Sequence, residues 1–194
     1  TCFHHDAALG RFAYLGVTYA AANRDPREFD NPHEVGADRV VSCVAGIALY
    51  GTPLIVVNFG TATTFDCVNA KGEFIGGAIA PGLVTASEAL ISRAARLYRV
   101  ELLQPKEAIG RNTVTNIQSG VMYGWAGLVD GLVDRMRAEM GAPVKVVATG
   151  GLAGQLRGVA RTIDLVNPDL TLEGLRAIWE RAHPQEPQRD SKRG

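Results

Sequence analysis

A run of glycine and threonine at residues 58–64 is the part of this sequence best suited to bind a phosphate group. It reads Asn58-Phe59-Gly60-Thr61-Ala62-Thr63-Thr64 and lies where a short β-branched run turns back into a second strand. Glycine lets a phosphate approach the backbone, and free N–H groups together with several hydroxyls bind its oxygens. Threonine is also common in strands and glycine in turns, so an ordinary turn is the alternative for this segment taken alone.

An acid and a base stand side by side near the start of a predicted helix, in the segment Gly36-Ala37-Asp38-Arg39. Neighbouring helical positions point about 100° apart, so Asp38 and Arg39 do not simply pair with each other and could face one ligand. A carboxylate near a helix N-terminus stays ionised, as a base that accepts a hydroxyl proton must. The alternative is an acid that only complements the helix dipole.

Two further loops have the composition of ligand-binding turns. Residues 109–113, Ile-Gly-Arg-Asn-Thr, lead into a long predicted helix whose first N–H groups could hold an anion. Residues 149–152, Thr-Gly-Gly-Leu, join a strand to a helix through a glycine pair that lets a phosphate or a flat ring lie against the backbone. Each loop is weak alone, but four of them in one short chain predict a phosphate-bearing ligand.

The composition excludes several other function classes. Of 194 residues, 46% are hydrophobic, and 20 Lys and Arg balance 20 Asp and Glu, which is typical of a globular protein and argues against nucleic acid as a partner. Three separated cysteines without metal-ligand spacing favour a reducing cytoplasm. The uncharged stretch 40–65 is broken by Gly51-Thr52-Pro53, so it predicts buried core rather than a membrane span. We see no signal-peptide pattern, and the start at Thr1 suggests a fragment or a processed product.

The periodicity of apolar residues predicts an α/β fold that positions these loops. We expect residues 1–30 to be irregular and a helix at 31–50, capped by Asn31, Pro32 and Glu34. The remaining predicted elements are an antiparallel meander at 54–57, 63–68 and 73–80, helices at 83–97 and 113–140, a strand at 145–148, a short helix after 152, a strand at 163–166, an amphipathic helix marked by Leu172, Leu175, Ile178 and Trp179, and a disordered tail at 184–194.

One face of the long predicted helix carries glycine at positions 120, 124, 127 and 131. Each glycine costs roughly 1 kcal/mol relative to alanine in a helix, so some neighbour must approach this face closely. The neighbour is either the protein's own sheet or another helix, or it is a second subunit.

Five segments in this order resemble the type III pantothenate kinases: GADR at 36–39, NFGTATTFD at 58–66, GGAIAPG at 76–82, IGRNT at 109–113 and ATGGL at 148–152. The resemblance covers about residues 29–182. It implies the actin, sugar-kinase and heat-shock ATPase superfamily, in which two ribonuclease-H-like lobes close on ATP, and usually a homodimer. We therefore expect a mixed sheet with flanking helices: a remnant of the first lobe and a linking helix at 1–50, the second lobe at 51–183, and most of the first lobe missing.

The resemblance also implies the activity and its residues. ATP-dependent phosphorylation of pantothenate to 4'-phosphopantothenate begins coenzyme A biosynthesis, and Asp38 would be the general base. Gly36, Ala37, Asp38 and Arg39 would line the substrate site with Phe29 and Thr113, the last across a dimer interface. Gly60 and Thr61 would contact the nucleotide phosphates, Gly150 and Gly151 the adenosine, and Mg²⁺ would accompany ATP. Asn58 stands at the family's potassium or ammonium position.

The chain departs from the family's pattern at three places. Asn58 replaces an aspartate at the cation position, Phe29 replaces a tyrosine, and the Asp-x-Gly-Asn-Thr phosphate loop that opens the family's fold does not occur. These departures keep a second hypothesis open, a catalytically impaired family member that acts as a binding or transcription accessory factor. Another small-molecule kinase of the superfamily is a third, supported only by analogy of fold.

Overall fold

A computed structural model describes residues 35–183 and, before them, the backbone of three short strands at 5–6, 11–14 and 17–19. Three predictions lie outside the described residues: the helix caps at 31–34, the substrate position Phe29, and the disordered tail at 184–194. No helix in the described part of the chain is long and apolar enough to cross a membrane.

The sheet is built around an antiparallel meander of β4 (Leu54–Phe59), β5 (Ala62–Val68) and β6 (Glu73–Pro81). On the other side of β4, β7 (Lys145–Thr149) pairs parallel to it and β8 (Leu165–Val166) pairs parallel to β7. The resulting order β6-β5-β4-β7-β8 is the ribonuclease-H-like arrangement that the motifs imply.

Three short strands continue the sheet beyond β6. They are β1 (His5–Asp6), β2 (Arg11–Tyr14) and β3 (Val17–Tyr19), and β3 pairs parallel to the start of β6 through two residues. The prediction of an irregular segment at 1–30 is wrong for these strands. The aromatic and β-branched residue types of β2 and β3 favour extended backbone, a local preference that the neighbouring polar stretch at 21–30 obscures in the sequence.

Helices cover both faces of the sheet. The helices α1 (Ala37–Tyr50) and α5 (Leu170–Ala182) pack on the face of Leu54 and Val56, while α2 (Leu83–Arg93), α3 (Thr113–Met140) and α4 (Ala153–Leu156) pack on the face of Ile55 and Val57. Burial on both sides explains why β4 begins as an unbroken apolar run rather than an alternating one.

The ends of the helices follow local backbone chemistry. The boundaries 113–140 are confirmed: Asn112 and Thr115 form a capping box, and Gly141 ends α3 in the left-handed conformation at φ 62°. Helix α1 begins at Ala37 rather than at residue 31, because Gly36 is extended at ψ 138°. Helix α2 ends at Arg93 rather than at 97, because Ala94 is extended at ψ 121°.

The last helix packs through a different face from the one its large apolar residues suggest. Leu172 and Trp179 are 65% and 64% exposed, whereas Leu170 and Gly174 are buried. A Cβ on Gly174 would lie 2.1 Å from the carbonyl oxygen of Val41, so this glycine permits close contact between α5 and α1. The amphipathic helix is confirmed: Ile178 packs against the core, while Leu172, Leu175 and Trp179 are exposed.

The glycine face of α3 does not contact the sheet. A Cβ added at Gly120, Gly124 or Gly127 would meet nothing within 4 Å in the described chain. The side of α3 that enters the core carries Met122, Val129 and Val133 instead. The interpretation that the protein's own sheet or a neighbouring helix accounts for these glycines is therefore wrong for the described residues, and the subunit interface stays a prediction.

Candidate nucleotide and substrate site

The residues expected to contact the nucleotide meet at one edge of the sheet. Strand β4 ends beside β7, with Asn58 opposite Thr149, so the turn at Gly60 and Thr61 lies beside the loop that begins at Gly150. The carboxyl ends of neighbouring parallel strands are the usual place for a ligand in α/β sheets. The sheet register thus brings together two segments that are about 90 residues apart in the sequence.

Gly150 has a shape requirement that no other residue type meets. Its φ is +91°, and a Cβ there would lie 2.6 Å from both the carbonyl oxygen of Phe59 and the Oδ1 of Asn58. These two oxygens therefore pack directly against the backbone of Gly150 and leave no room for a side chain. Neutral carbonyl and amide oxygens of this kind suit a hard cation without requiring a carboxylate.

The turn that carries Thr61 is held by the start of α2. The backbone N–H of Gly82 and the hydroxyl of Thr85 both donate to the carbonyl oxygen of Thr61, each at 2.9 Å. A Cβ on Gly82 would lie 2.2 Å from that same oxygen. The sequence motifs include Gly82 but assign no role to it or to Thr85; Pro-Gly directly before a helix is the signal that points to this contact.

Helix α3 contacts the same hairpin from the sheet face that carries Ile55 and Val57. The indole N–H of Trp125 donates to the hydroxyl of Thr63 at 3.2 Å, and Thr63 is fully buried. The N-terminus of α2, with its partial positive charge, begins beside the same turn. A fixed backbone turn and a helix N-terminus give this edge properties of a phosphate-binding site.

The expected substrate segment forms the first turn of α1. Asp38 is exposed, and its Oδ1 lies 2.6 Å from where a Cβ on Gly36 would be, so Gly36 leaves room for that carboxylate. The Asp38 carbonyl oxygen accepts a hydrogen bond from the hydroxyl of Ser42 at 2.9 Å. The structure thus presents an accessible carboxylate at a helix N-terminus, as the sequence predicted.

Arg39 turns toward the sheet rather than lying beside Asp38. Its guanidinium forms an ion pair with Asp66 at 2.6 Å, and Thr64 donates a hydrogen bond to the same carboxylate at 3.3 Å. Burial raises the pKa of Asp66, while the charge of Arg39 and hydrogen bonds from Arg39 and Thr64 act to lower it. The negative charge of Asp38 also acts to raise this pKa.

Thr113 is not brought to Asp38 within one chain. It is the first residue of α3, on the opposite face of the sheet from α1, and lies about 18 Å along the helix axis from Trp125. There it lines an apolar groove of about 590 Å³ between α2 and α3, together with Leu90 and Ile117. The described residues also contain no cluster of three or more His, Cys, Asp or Glu able to hold a metal.

Comparison with known proteins identifies the family. The family model described as type III pantothenate kinase matches residues 18–135, more than half of the chain. The chain belongs to the type III pantothenate kinase family. The resemblance predicted from the five motifs is therefore confirmed.

Curated relatives and a solved structure agree with this assignment. The type III pantothenate kinases of Moorella thermoacetica and Geobacter sulfurreducens are 58% and 56% identical to this chain over 156 residues, which are 80% of this chain and 61% of each relative. The chain thus spans about 60% of the length of these family members. A crystal structure titled as a conserved putative Baf family transcriptional activator from Campylobacter jejuni covers 78% of this chain and 66% of its own chain, with a TM-score of 0.55 and 22% identity, and shares the fold.

Proposed function

We propose that this chain is the part of a pantothenate kinase that holds the nucleotide phosphates and the catalytic base. The enzyme would transfer the γ-phosphoryl group of ATP to the primary hydroxyl of pantothenate, giving 4'-phosphopantothenate and ADP in the first step of coenzyme A biosynthesis. The observation that carries the proposal is the sheet edge where Thr61 and Gly150 meet in a family member at 58% identity to a curated kinase.

On the nucleotide side, Gly60 and Thr61 would contact the phosphates, and Gly150 and Gly151 would lie against the adenosine. The support is geometric: the Gly60 N–H donates to the Ala62 carbonyl oxygen at 3.0 Å and α2 fixes the Thr61 carbonyl oxygen, so the turn has a set conformation. A preorganised turn favours phosphoryl transfer, in which positioning and charge neutralisation dominate. Mg²⁺ bound with ATP would neutralise phosphate charge.

A potassium or ammonium ion would take the amide oxygen of Asn58 as a ligand. The Asn58 Oδ1 and the Phe59 carbonyl oxygen both lie close to the backbone of Gly150, so two neutral oxygens are near each other at this sheet edge. Asparagine supplies an amide oxygen but not the negative charge of the family's aspartate. We therefore propose a site for a monovalent cation that is weaker than one built with a carboxylate.

On the substrate side, Asp38 would accept the proton of the pantothenate hydroxyl while that oxygen attacks the γ-phosphorus and ADP leaves. Gly36, Ala37, Arg39 and Phe29 would line the space around it. Because α1 and α3 lie on opposite faces of the sheet, Thr113 would complete this site from a second subunit of a homodimer. The exposed glycine face of α3 is consistent with such a subunit contact.

We also propose a cytoplasmic protein in which residues 51–183 form the second ribonuclease-H-like lobe and residues 1–50 belong to the first lobe and the linking helix. The strand order β6-β5-β4-β7-β8 supports the assignment of residues 51–183 to a ribonuclease-H-like lobe. Helix α1 packs on this sheet through Val40 and Val44, as a helix joining two lobes can.

A thermal-shift titration tests the proposed function. At about 100 times their dissociation constants, ligands that bind the folded state stabilise it by about 2.7 kcal/mol each. We expect ATP with Mg²⁺ and pantothenate each to raise the melting temperature, and both together to raise it further. No shift at millimolar concentration of either ligand would refute the kinase assignment for this chain.

The second candidate function is a binding or transcription accessory role without catalysis. The specific observation in its favour is Asn58, which removes a charge from the cation site. A thermal shift with ATP, combined with no pantothenate-dependent ADP formation by the protein under any monovalent salt, would favour this candidate.

A further inference from the structure

Three of the sequence segments that define the family meet at a point where two residues, Asp66 and Gly77, have no expected role. Arg39 comes from residues 36–39, Asp66 from residues 58–66 and Gly77 from residues 76–82. Asp66 of β5 lies opposite Gly77 of β6 in the sheet register, and the Arg39 guanidinium lies over this pair. This meeting point is distinct from the nucleotide edge, by which we mean the turn at Gly60 and Thr61 and the loop at Gly150. It lies toward the other end of the β5–β6 hairpin.

The ion pair between Arg39 and Asp66 is nearly excluded from solvent. The Asp66 side chain is 1% exposed and that of Arg39 is 14% exposed. Both Nε and Nη2 of Arg39 lie 2.6 Å from the Oδ1 of Asp66, and its Cζ lies 5.7 Å from the centre of the Phe74 ring. Two contacts on one edge of a planar fork, together with the aromatic face, fix the orientation of the guanidinium.

Gly77 makes room for this arrangement. A Cβ on Gly77 would lie 1.7 Å from the Phe65 carbonyl oxygen and 3.3 Å from Nη2 of Arg39. A side chain on β6 at this position would therefore press on both the strand pairing and the guanidinium. The glycine, the acid and the base form one unit.

This unit holds the first turn of α1, where Asp38 lies. The N-cap residue Gly36 provides no side-chain hydrogen bond, so the helix start lacks the usual anchor. Among the described residues, two polar side-chain contacts hold this turn. The Ser42 hydroxyl donates to the Asp38 carbonyl oxygen, and Arg39 forms the ion pair with Asp66. Movement of Arg39 would therefore move the neighbouring Asp38.

We propose that Asp66 is a positioning residue of the substrate side: acting through Arg39, it orients the first turn of α1 and so the carboxylate of Asp38. This inference rests on the proposed pantothenate kinase function. Asp66 touches neither nucleotide nor substrate. Its effect is transmitted by one guanidinium, so the variants at the two positions should not be additive.

The test is a double-mutant cycle on the 194-residue chain, read by calorimetric titration with pantothenate and with ATP. We expect Asp66→Asn to weaken pantothenate binding at least tenfold and to change ATP binding less than threefold. Arg39→Gln and the double variant Arg39→Gln/Asp66→Asn should bind pantothenate equally, because Asp66 has nothing to hold once the guanidinium is gone. Asp130→Asn is the matched control. Asp130 is a carboxylate of α3 that accepts hydrogen bonds from Thr162, and α3 lies on the opposite face of the sheet from α1.

A further loss of more than threefold in the double variant relative to Arg39→Gln would overturn the proposal, and this comparison stands even where Asp66→Asn alone fails to fold. A second measurement needs no substrate. The Nε–H proton of Arg39, followed by nitrogen-15 NMR, should exchange slowly in the wild type and in Asp130→Asn and rapidly in Asp66→Asn. Equal protection in Asp66→Asn would overturn the positioning role, whereas failure of the wild type to bind pantothenate would overturn only the proposed function.

Discussion

The nucleotide edge and the substrate side of this molecule are built in different ways. At the nucleotide edge, the turn at Thr61 and the loop at Gly150 are neighbours because β4 and β7 are neighbours, and backbone contacts fix both. On the substrate side, Asp38 and Thr113 belong to helices on opposite faces of the sheet. The first region is held by sheet register and backbone contacts, whereas the second, as proposed, depends on a side-chain ion pair and on a residue from a second subunit.

This difference indicates which of the two regions keeps its geometry when only one lobe of the fold is present. Strand pairing is local to the sheet, so a phosphate-binding edge made of strand ends persists wherever the sheet forms. A site assembled from helix termini requires the helices to be fixed by further contacts, here the tie between Arg39 and Asp66. Variants at each region separate the two, and the largest expected effect is at Asp38.

Replacing Asp38 by asparagine should remove the base while leaving the nucleotide edge intact. We expect pantothenate-dependent ADP formation to fall by about 10²–10⁴-fold, the usual contribution of a general base, with little change in the KM for ATP. The control is Asp134→Asn, an exposed carboxylate on α3 that pairs with Arg161. Turnover within threefold of the wild type in Asp38→Asn would remove Asp38 from its proposed role.

Mixing two weakly active variants tests whether each substrate site is built from residues of two subunits. Asp38→Asn and Thr113→Ala should each be weakly active alone. If Thr113 acts across a homodimer, a re-equilibrated equal mixture should recover roughly a quarter of wild-type activity, because half the dimers are mixed and one of their two sites is intact. A mixture no more active than the mean of the two variants would show that Thr113 does not act in trans.

Gly150→Ala should damage the nucleotide edge alone. Its Cβ would lie 2.6 Å from the Phe59 carbonyl oxygen at a φ of +91°, so we expect a loss of about 1–3 kcal/mol in the free energy of unfolding and weaker binding of ATP than of pantothenate. Gly154→Ala is the matched control, because a Cβ there meets nothing within 4 Å. Differential calorimetry and titration measure both quantities, and equal effects from the two glycines would contradict this account.

The smallest effect is a difference in pH dependence between two carboxylates. Burial raises the pKa of Asp66, so its contribution to stability is present below the ordinary pKa of about 4 and is lost as the pH rises through the higher folded pKa. Partial burial acts to raise the pKa of Asp130, but hydrogen bonds from Thr162 and from the Arg161 backbone lower it, so its contribution is lost as the pH falls below about 4.

Melting temperatures of the wild type, Asp66→Asn and Asp130→Asn between pH 3 and pH 7 measure these contributions. The wild type should lose stability relative to Asp66→Asn as the pH rises from about 4, and should lose stability relative to Asp130→Asn as the pH falls below about 4. If the difference in melting temperature between wild type and variant changed with pH in the same direction for both variants, the opposite pKa shifts would be contradicted.

Much of the fold could be predicted from the sequence because its signals are local. The meander follows from three strand-like runs joined by turn residues, and the bounds of α3 follow from its apolar spacing, its cap and Gly141. The placement of Gly60, Thr61 and Gly150 in connections that follow strands was predictable in the same way, since glycine and threonine favour such turns. The roles of Gly82 and Thr85 were not, because their partner is a carbonyl oxygen 21 to 24 residues earlier in the chain.

Side-chain direction was harder to predict than the elements themselves. The resemblance implied Arg39 as a residue lining the substrate site, but only the structure shows that its guanidinium is paired with the buried Asp66. The apolar spacing of α5 suggested that Leu172 and Trp179 face the core, whereas Gly174 determines the packed face by its contact with Val41.

The amino-acid sequence by itself determined the order of the elements, the loops rich in glycine and threonine, and the family to which the chain belongs, because these depend on residues close together in the chain. Only the tertiary structure decided that Gly150 lies against Asn58, that Arg39 is bound to Asp66, and that Thr113 is on the far face from Asp38. The physical reason is that strand register and the faces on which helices pack are set by the burial of the whole sheet, which no single segment contains.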